Sequence, residues 1–237
     1  MKTKTLLVLA GLATTQCMFN SCGEDNINNQ EESSKTSNTI NNLNGPVSTQ
    51  NYFANPEPFS GAVNFAISTV GTQGASFTLT QSLLNQFYDK AQIPVNERAT
   101  LSQVNQIIDK TINAYQVSFD QTVQQLPIST VAKSLMILIN THSISNLTSD
   151  VKFNTLSNNE KIIINNFNNL QRNIELGLIL TPSTTSKEMG PGAQLGAKIG
   201  FAVGVGIGFV TLNPGALWGG ICAGSMIGGA IGSLWDK

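Results

Sequence analysis

The sequence predicts a mainly α-helical protein, in which a bundle of about four helices is followed by a helical hairpin. Between residues 79 and 180, apolar residues recur at spacings of three and four, which is the period of an amphipathic helix. Prolines and helix-capping residues divide that stretch into segments. In the C-terminal tail, which holds 14 of the 21 glycines, glycine recurs at a spacing of four. Together these observations predict an all-helical chain whose C-terminal part differs from the rest by its regularly spaced glycines.

The first two predicted helices each end at a proline. The first closes before Pro94, and its apolar face is formed by Leu79, Leu83, Leu84, Phe87 and Tyr88. The second is a single stripe about seven turns long that Pro127 ends. Its members are Leu101, Val104, Ile108, Ile112, Tyr115, Phe119, Val123 and Leu126. The segment 61–77 mixes Val, Phe and Ile with Gly and Thr, and its structure stays unassigned.

The next two helices have clear start signals. Ser129 is placed to cap a third helix that runs through Ile139. Ser157 and Glu160 form a capping box, in which each side chain satisfies a free amide at the helix start. The fourth helix continues from there toward Pro182. We therefore assign residues 61–186 to the helical domain.

Charge is scarce along the whole chain. The sequence has 13 Lys or Arg and 14 Asp or Glu residues, so 11% of it is charged, less than half the usual quarter. The net charge is −1 and no cluster of basic residues occurs. This composition gives no electrostatic basis for binding nucleic acid, and we predict no nucleic-acid partner.

Catalytic signals are missing from the sequence as well. His142 is the only histidine and is expected at a helix end, so neither a histidine metal cluster nor a supported catalytic triad can be built. The Gly204-x-Gly206-x-Gly208 pattern is not preceded by a predicted strand, and no acidic residue follows before Asp236. We predict a protein that is not an enzyme and holds no metal or cofactor.

The N-terminus has the pattern of a secretory signal. Lys2 and Lys4 precede an apolar core at residues 6–13, which is far too short for a transmembrane helix. Ser21 and Cys22 then precede the acidic residues at positions 24 and 25. This junction resembles the lipoboxes of Bacteroidota lipoproteins, although Asn20 departs from the pattern. The resemblance implies a signal peptide at 1–21, lipidation of Cys22 and an outer-membrane lipoprotein with export to the cell surface; plain secretion is the alternative.

Two consequences follow from cleavage before Cys22. Cys17 is removed and Cys22 carries lipid, so Cys222 remains as the only thiol and is interpreted as a small buried hydrophobe. Residues 22–60 are polar, with almost no apolar periodicity, and are interpreted as a flexible tether behind the anchor.

The tail at residues 187–237 contains two glycine ladders. The ladders are separated by a turn at Asn213, Pro214 and Gly215, where Asn caps and Pro opens the second helix. From Ile199 to Trp235 there are 37 residues without a charge. The helix-packing positions are Gly192, Gly196, Gly200, Gly204 and Gly208 in the first arm and Gly220, Gly224, Gly228 and Gly232 in the second. The pattern predicts a glycine-zipper helical hairpin.

Glycine lowers helix stability by about 1 kcal/mol per residue relative to alanine, so a solitary helix of this kind would not form in water. Close helix packing offsets that cost, and small residues spaced at four are typical of membrane helix pairs. The second arm would be about 33 Å long and the first about 21 Å, against a hydrocarbon core of about 30 Å. Trp218 and Trp235 are candidate interface anchors, and Lys198 would have to extend outward for the first arm to span.

The tail resembles the glycine-zipper segments of bacteriocin-like peptides and contact-dependent glycine-zipper toxins. The resemblance implies a hairpin that inserts into, or oligomerises at, a membrane, possible antagonism of neighbouring cells and a possible homo-oligomer. The alternative is a structural or interaction lipoprotein whose hairpin packs as an assembly element.

Overall fold

The structure is a computed structural model that describes residues 53–73, 78–144, 146–179, 189–211 and 214–233. These residues form nine α-helices and one short 3-10 turn at Val95–Glu97, with no strand among them. The helices are α1 Pro56–Gln73, α2 Gln81–Lys90, α3 Leu101–Tyr115, α4 Phe119–Gln124, α5 Thr130–Asn140, α6 Val151–Asn154, α7 Asn158–Glu175, α8 Pro191–Thr211 and α9 Pro214–Ser233. The predicted mainly helical fold is confirmed.

Helix starts follow the capping residues. The Thr80 hydroxyl accepts from the Leu83 amide at the start of α2, and the Ser129 hydroxyl accepts from the Ala132 amide at the start of α5. The predicted capping box at Ser157 is present at the start of α7. Local side-chain hydrogen bonds therefore set the start of these three helices.

The second predicted helix is wrong in one respect, because the stripe from Leu101 to Leu126 is two helices. Helix α3 ends at Tyr115, and the Ser118 hydroxyl accepts from the Gln121 amide to begin α4. The side-chain cap competes with helix continuation at Ser118, whose backbone is extended. The apolar spacing survives the break, since Phe119 and Val123 are still buried.

Folded structure begins before residue 60. Helix α1 starts at Pro56 and covers most of the unassigned segment 61–77. Phe53 and Phe59 lie within the stretch interpreted as tether, yet their side chains are only 1% and 3% exposed. Because Phe53 and Phe59 are buried, the end of the polar N-terminal stretch belongs to the folded domain.

The hairpin, defined as α8 and α9, lies at the centre of the domain. The other seven helices, α1–α7, surround it and are called the coat. Helix α3 contacts both arms, α1 and α2 contact α9, and α4 and α7 contact α8. Helix α5 packs outside this layer against α4, α6 and α7. The hairpin is therefore the core of the helical domain and not an appendage to it.

One buried carboxylate connects two helix starts. Glu160 is 4% exposed. Its Oε1 accepts from the Ser129 amide at 2.8 Å, and its Oε2 accepts from the Ser157 hydroxyl at 2.9 Å and from the Ser157 amide at 3.2 Å. Glu160 thereby links the start of α7 to the residue that caps α5.

Replacing Glu160 by Ala is expected to lower the free energy of unfolding by about 2–3 kcal/mol, because it leaves partly buried amides at two helix starts without their acceptor. Urea unfolding followed by circular dichroism measures the change. Ser157→Ala, which removes a cap from α7 alone, is the comparison and should cost about 1 kcal/mol. Equal losses in the two variants would contradict the link between α7 and α5.

Candidate functional site

The glycines of the two arms face each other in register. Gly192 lies opposite Gly232, Gly196 opposite Gly228, Gly200 opposite Gly224, and Gly204 opposite Gly220. A methyl group added to Gly196, Gly200 or Gly204 of the first arm, or to Gly232 of the second, would overlap the carbonyl group of the opposite glycine. The two backbones are therefore in direct contact, which only glycine permits at these four positions.

Other glycines of the hairpin do not share this constraint. A methyl group on Gly206 would lie 3.4 Å from Leu126 Cδ2, which is an ordinary contact. A methyl group on Gly229 would lie 3.7 Å from Val63 Cγ1 and 3.3 Å from the flexible end of Met189. By contrast, Gly219 meets the backbone of Ala99 and Glu97, so the second arm also approaches a coat segment closely.

The faces of the hairpin that point away from the glycine pairs are covered by the coat. Every residue from Gly219 to Ala230 is buried. On the first arm, the Phe201 ring centroid lies 5.7 Å from that of Phe53 and 5.2 Å from that of Phe167. The Phe167 ring in turn stacks on Phe119 at 5.3 Å. The hairpin is apolar all round, and the amphipathic coat helices supply the apolar surface that it contacts.

Polar side chains within the hairpin bond mainly to the hairpin itself. The buried Ser225 hydroxyl donates to the Ile221 carbonyl at 2.9 Å, one turn earlier in α9. The Ser233 hydroxyl donates to the Ala230 carbonyl at 2.7 Å. These two hydroxyls, which lie in the described part of the stretch from Ile199 to Ser233, therefore need no hydrogen-bond partner from the coat.

Two coat tyrosines bond to backbone carbonyls of the hairpin. The Tyr115 hydroxyl lies 2.8 Å from the Gly192 carbonyl oxygen and donates to it. The Tyr88 hydroxyl accepts from the Ala99 amide at 3.1 Å, and its hydrogen is shared between the carbonyls of Ala99 and Gly219. Burial, reinforced by the nearby Cys222 thiol, raises the pKa of Tyr88 above its usual value. The Tyr88 hydroxyl therefore remains a neutral donor at physiological pH.

The start of the first arm is different, because it carries a charge. Lys198 is partly buried, and its Nζ donates to Asn140 Oδ1 at 3.1 Å across the junction of α8 and α5. Glu175, at the end of α7, lies near enough to favour the charged form of Lys198. In this structure, Lys198 therefore contacts the coat.

The coat has an opening over the first arm. A cavity of about 310 Å³ lies between α3, α4 and α8 and is open to solvent. Val203, Gly206 and Ile207 of the hairpin form part of its wall, opposite Lys110 and Leu126. At this place part of the apolar surface of α8 reaches the outside of the domain.

Several predicted site residues lie outside the described residues. These are Cys22, Asn213 and Trp235. Gly215 and Trp218 belong to helix α9, and Pro214 begins it. Gly208 is buried on α8. The anchor and the turn thus remain predictions from the sequence.

Cys222 is buried and free. In the described part of the chain, no group of three or more His, Cys, Asp or Glu side chains is placed to hold a metal ion. His142 lies two residues beyond α5, and its Nδ1 is 2.9 Å from Glu175 Oε1.

None of the helices in the described ranges is both long enough and apolar enough to cross a membrane.

Sequence reasoning missed the polar residues that join hairpin and coat. Tyr88 and Tyr115 were counted as members of apolar stripes, although a buried tyrosine hydroxyl usually finds a hydrogen-bond partner. Asn140 gave no signal, because it is one of 26 asparagines in the sequence. One usable signal was present: Lys198 is a single charge within an apolar segment, so it needs a polar partner elsewhere in the fold.

Comparisons of the chain with protein-family models, with curated proteins and with solved structures find no match.

The contact between the glycine ladders predicts opposite effects for two substitutions in the same helix. Gly200→Ala forces the arms apart at Gly224 and is expected to lower the free energy of unfolding by about 3 kcal/mol. Gly206→Ala fits beside Leu126 and is expected to raise it by up to about 1 kcal/mol through helix propensity. Urea unfolding of both variants measures the two changes. If Gly200→Ala were as stable as Gly206→Ala, the backbone contact would be refuted.

Proposed function

We propose that this chain is a non-enzymatic envelope lipoprotein, anchored through Cys22, whose glycine-zipper hairpin is released from its coat to insert into or oligomerise at a membrane. Activity of a bacteriocin-like kind, directed at neighbouring cells, is the biological role that fits such a hairpin. The observation on which the proposal depends is that the described hydroxyl groups of the hairpin from Ile199 onward bond within their own helix, while nearly all of its described apolar side chains there are buried.

The energetic argument concerns what the hairpin would lose on leaving the coat. A polar group that enters hydrocarbon without a partner costs several kcal/mol. Backbone groups in the interior of α8 and α9 bond within their helices, and the hydroxyls of Ser225 and Ser233 bond within α9. Exchange of coat side chains for lipid chains would therefore leave these groups paired.

The glycine pairs support the same proposal. The contacts between the arms, such as Gly200 with Gly224, do not involve the coat. A hairpin that leaves as a unit would keep them, since close packing between small residues also stabilises helix pairs in lipid. The surface that changes partners is then the outer, apolar surface of the pair.

A second candidate is a structural or interaction lipoprotein in which the hairpin never leaves the coat. The bonds from the hydroxyls of Tyr115 and Tyr88 to hairpin carbonyls favour it, because they tie the hairpin to α3 and α2. In that case the coat surface would bind the partner and the hairpin would serve only as a core.

A disulfide between coat and hairpin separates the two candidates. Val63 on α1 and Gly229 on α9 are suitable positions, because a methyl group on Gly229 would lie 3.7 Å from Val63 Cγ1, and a cysteine sulfur at position 63 can take the place of that Cγ1 atom. The full-length Val63→Cys, Gly229→Cys protein is added to phosphatidylethanolamine–phosphatidylglycerol vesicles filled with dye. We expect release by the reduced protein and little or none by the oxidised protein.

The single variants Val63→Cys and Gly229→Cys, each tested with and without reductant, control for effects of the reductant and of each substitution. Equal release by the oxidised and reduced double variant would show that the hairpin need not leave the coat. No release by the wild type or by any variant, together with unchanged helicity on adding vesicles, would favour the structural candidate.

The anchor is tested separately. Cells that express the wild-type protein are expected to incorporate labelled palmitate into it and to retain it in the outer-membrane fraction, whereas Cys22→Ala should lose both properties. Cys17→Ala is the matched control, because that residue lies in the predicted signal peptide and its loss should leave labelling intact. Equal labelling of wild type and Cys22→Ala would disprove lipidation at this cysteine.

A further inference from the structure

Lys198 is the only charged residue between Gly190 and Ser233. It lies in the second turn of α8, one residue before the uncharged stretch begins. Its ammonium group is partly buried against the coat and donates to Asn140 Oδ1 at 3.1 Å. Of the described hairpin side chains, that of Lys198 is the one that donates a hydrogen bond to a coat side chain.

Burial makes this charge sensitive to its partners. Loss of water around the ammonium group lowers the pKa of Lys198, and the negative charge of Glu175 opposes that effect. A partly buried charge is tolerated when hydrogen bonds and an opposite charge replace the lost water. Removing one of those partners leaves the charge uncompensated, which costs more than removing the whole pair.

The coat holds Glu175 in place from two sides. Gln171 Nε2 donates to Glu175 Oε1 at 2.6 Å, one turn earlier in α7. His142 Nδ1 lies 2.9 Å from the same oxygen, from the segment that follows α5. The end of α5 thus brings an amide oxygen to Lys198, and Glu175 lies at the end of the neighbouring helix α7.

We infer that the hydrogen bond from Lys198 to Asn140, supported by the charge of Glu175, forms a latch that keeps the hairpin inside the coat and whose opening is the first step of hairpin release. The latch rests on the proposed function for its biological purpose. The latch itself, in which one lysine controls opening of the hairpin, can be tested in water without any membrane. The two claims can therefore fail independently.

Cys222 supplies a built-in reporter of opening. Its side chain is 1% exposed on α9, so a thiol reagent reaches it only when the hairpin and the coat separate. The rate of Cys222 modification in the full-length protein is measured by peptide mass spectrometry, without vesicles or denaturant. We expect Asn140→Ala to raise this rate by roughly tenfold, and Glu175→Gln to raise it to a smaller extent.

A double-mutant cycle identifies Lys198 as the cause. Lys198→Met keeps the apolar stem but removes the charge and its hydrogen bond to Asn140, so we expect Cys222 to react faster than in the wild type, though by less than in Asn140→Ala. In the Lys198→Met background, Asn140→Ala should then have almost no effect. Asn146→Ala is the matched control: Asn146 Oδ1 accepts from the Thr148 hydroxyl within the coat, and this change should leave the Cys222 rate unaltered.

Hydrogen exchange distinguishes a latch from a general contribution to stability. If the contact is a latch, amide exchange in coat helix α7 stays slow in Asn140→Ala while Cys222 becomes reactive. An equal acceleration of exchange throughout α7 would overturn the inference, and so would an undiminished effect of Asn140→Ala in the Lys198→Met background. Dye release from vesicles plays no part in this experiment, so absence of release would refute the proposed function and leave the latch standing.

Discussion

Direct contact between the backbones of α8 and α9 is the constraint on which the rest of this structure depends. Four glycine pairs bring the two arms together, and a single methyl group at Gly196, Gly200 or Gly204 would overlap the opposite chain. Glycine weakens each helix by about 1 kcal/mol per residue, so the arms form only because they are packed. The hairpin therefore cannot be a free tail in water, and its outer faces need a cover. Seven coat helices supply that cover.

Polar groups determine how tightly the cover is held. From Ile199 onward, the described hydroxyl groups of the hairpin bond to their own helix. The coat therefore contacts the hairpin mainly through apolar side chains. The exceptions lie at particular points: Tyr115 and Tyr88 bond to hairpin carbonyls, and Asn140 accepts from Lys198. Each of these hydrogen bonds has a direction and a specific partner. Apolar contacts are non-directional, and lipid chains could replace the coat side chains in them. Control of the hairpin is accordingly concentrated in a few polar residues.

Local physics explains what could be predicted from the sequence. The helices that begin at Ser129 and Ser157 were predictable because capping acts over three residues, and the glycine ladders were visible because their spacing is regular. The break at Ser118 was missed because the apolar spacing continues across it, and α1 was missed because its glycines and β-branched residues obscure the helical period. The placement of the hairpin at the centre of the coat depends on contacts between distant segments. Asn140 and Lys198, for example, are separated by 58 positions in the sequence.

A helix that is apolar all round suits either the core of a protein or a membrane, so composition alone does not separate the two roles of the hairpin. Satisfaction of polar groups separates them better. A segment fixed permanently as a core can have polar groups paired across to its neighbours anywhere along its length, and such pairs add specificity. In this hairpin, the described side chains beyond Lys198 make no such pair with a coat side chain, and the one charge lies before the uncharged stretch, where it meets Asn140. The described polar contacts between hairpin and coat are therefore few and local: Lys198 with Asn140 and the Gly192 carbonyl with the Tyr115 hydroxyl at the start of the first arm, and the Tyr88 hydroxyl with the Gly219 carbonyl on the second.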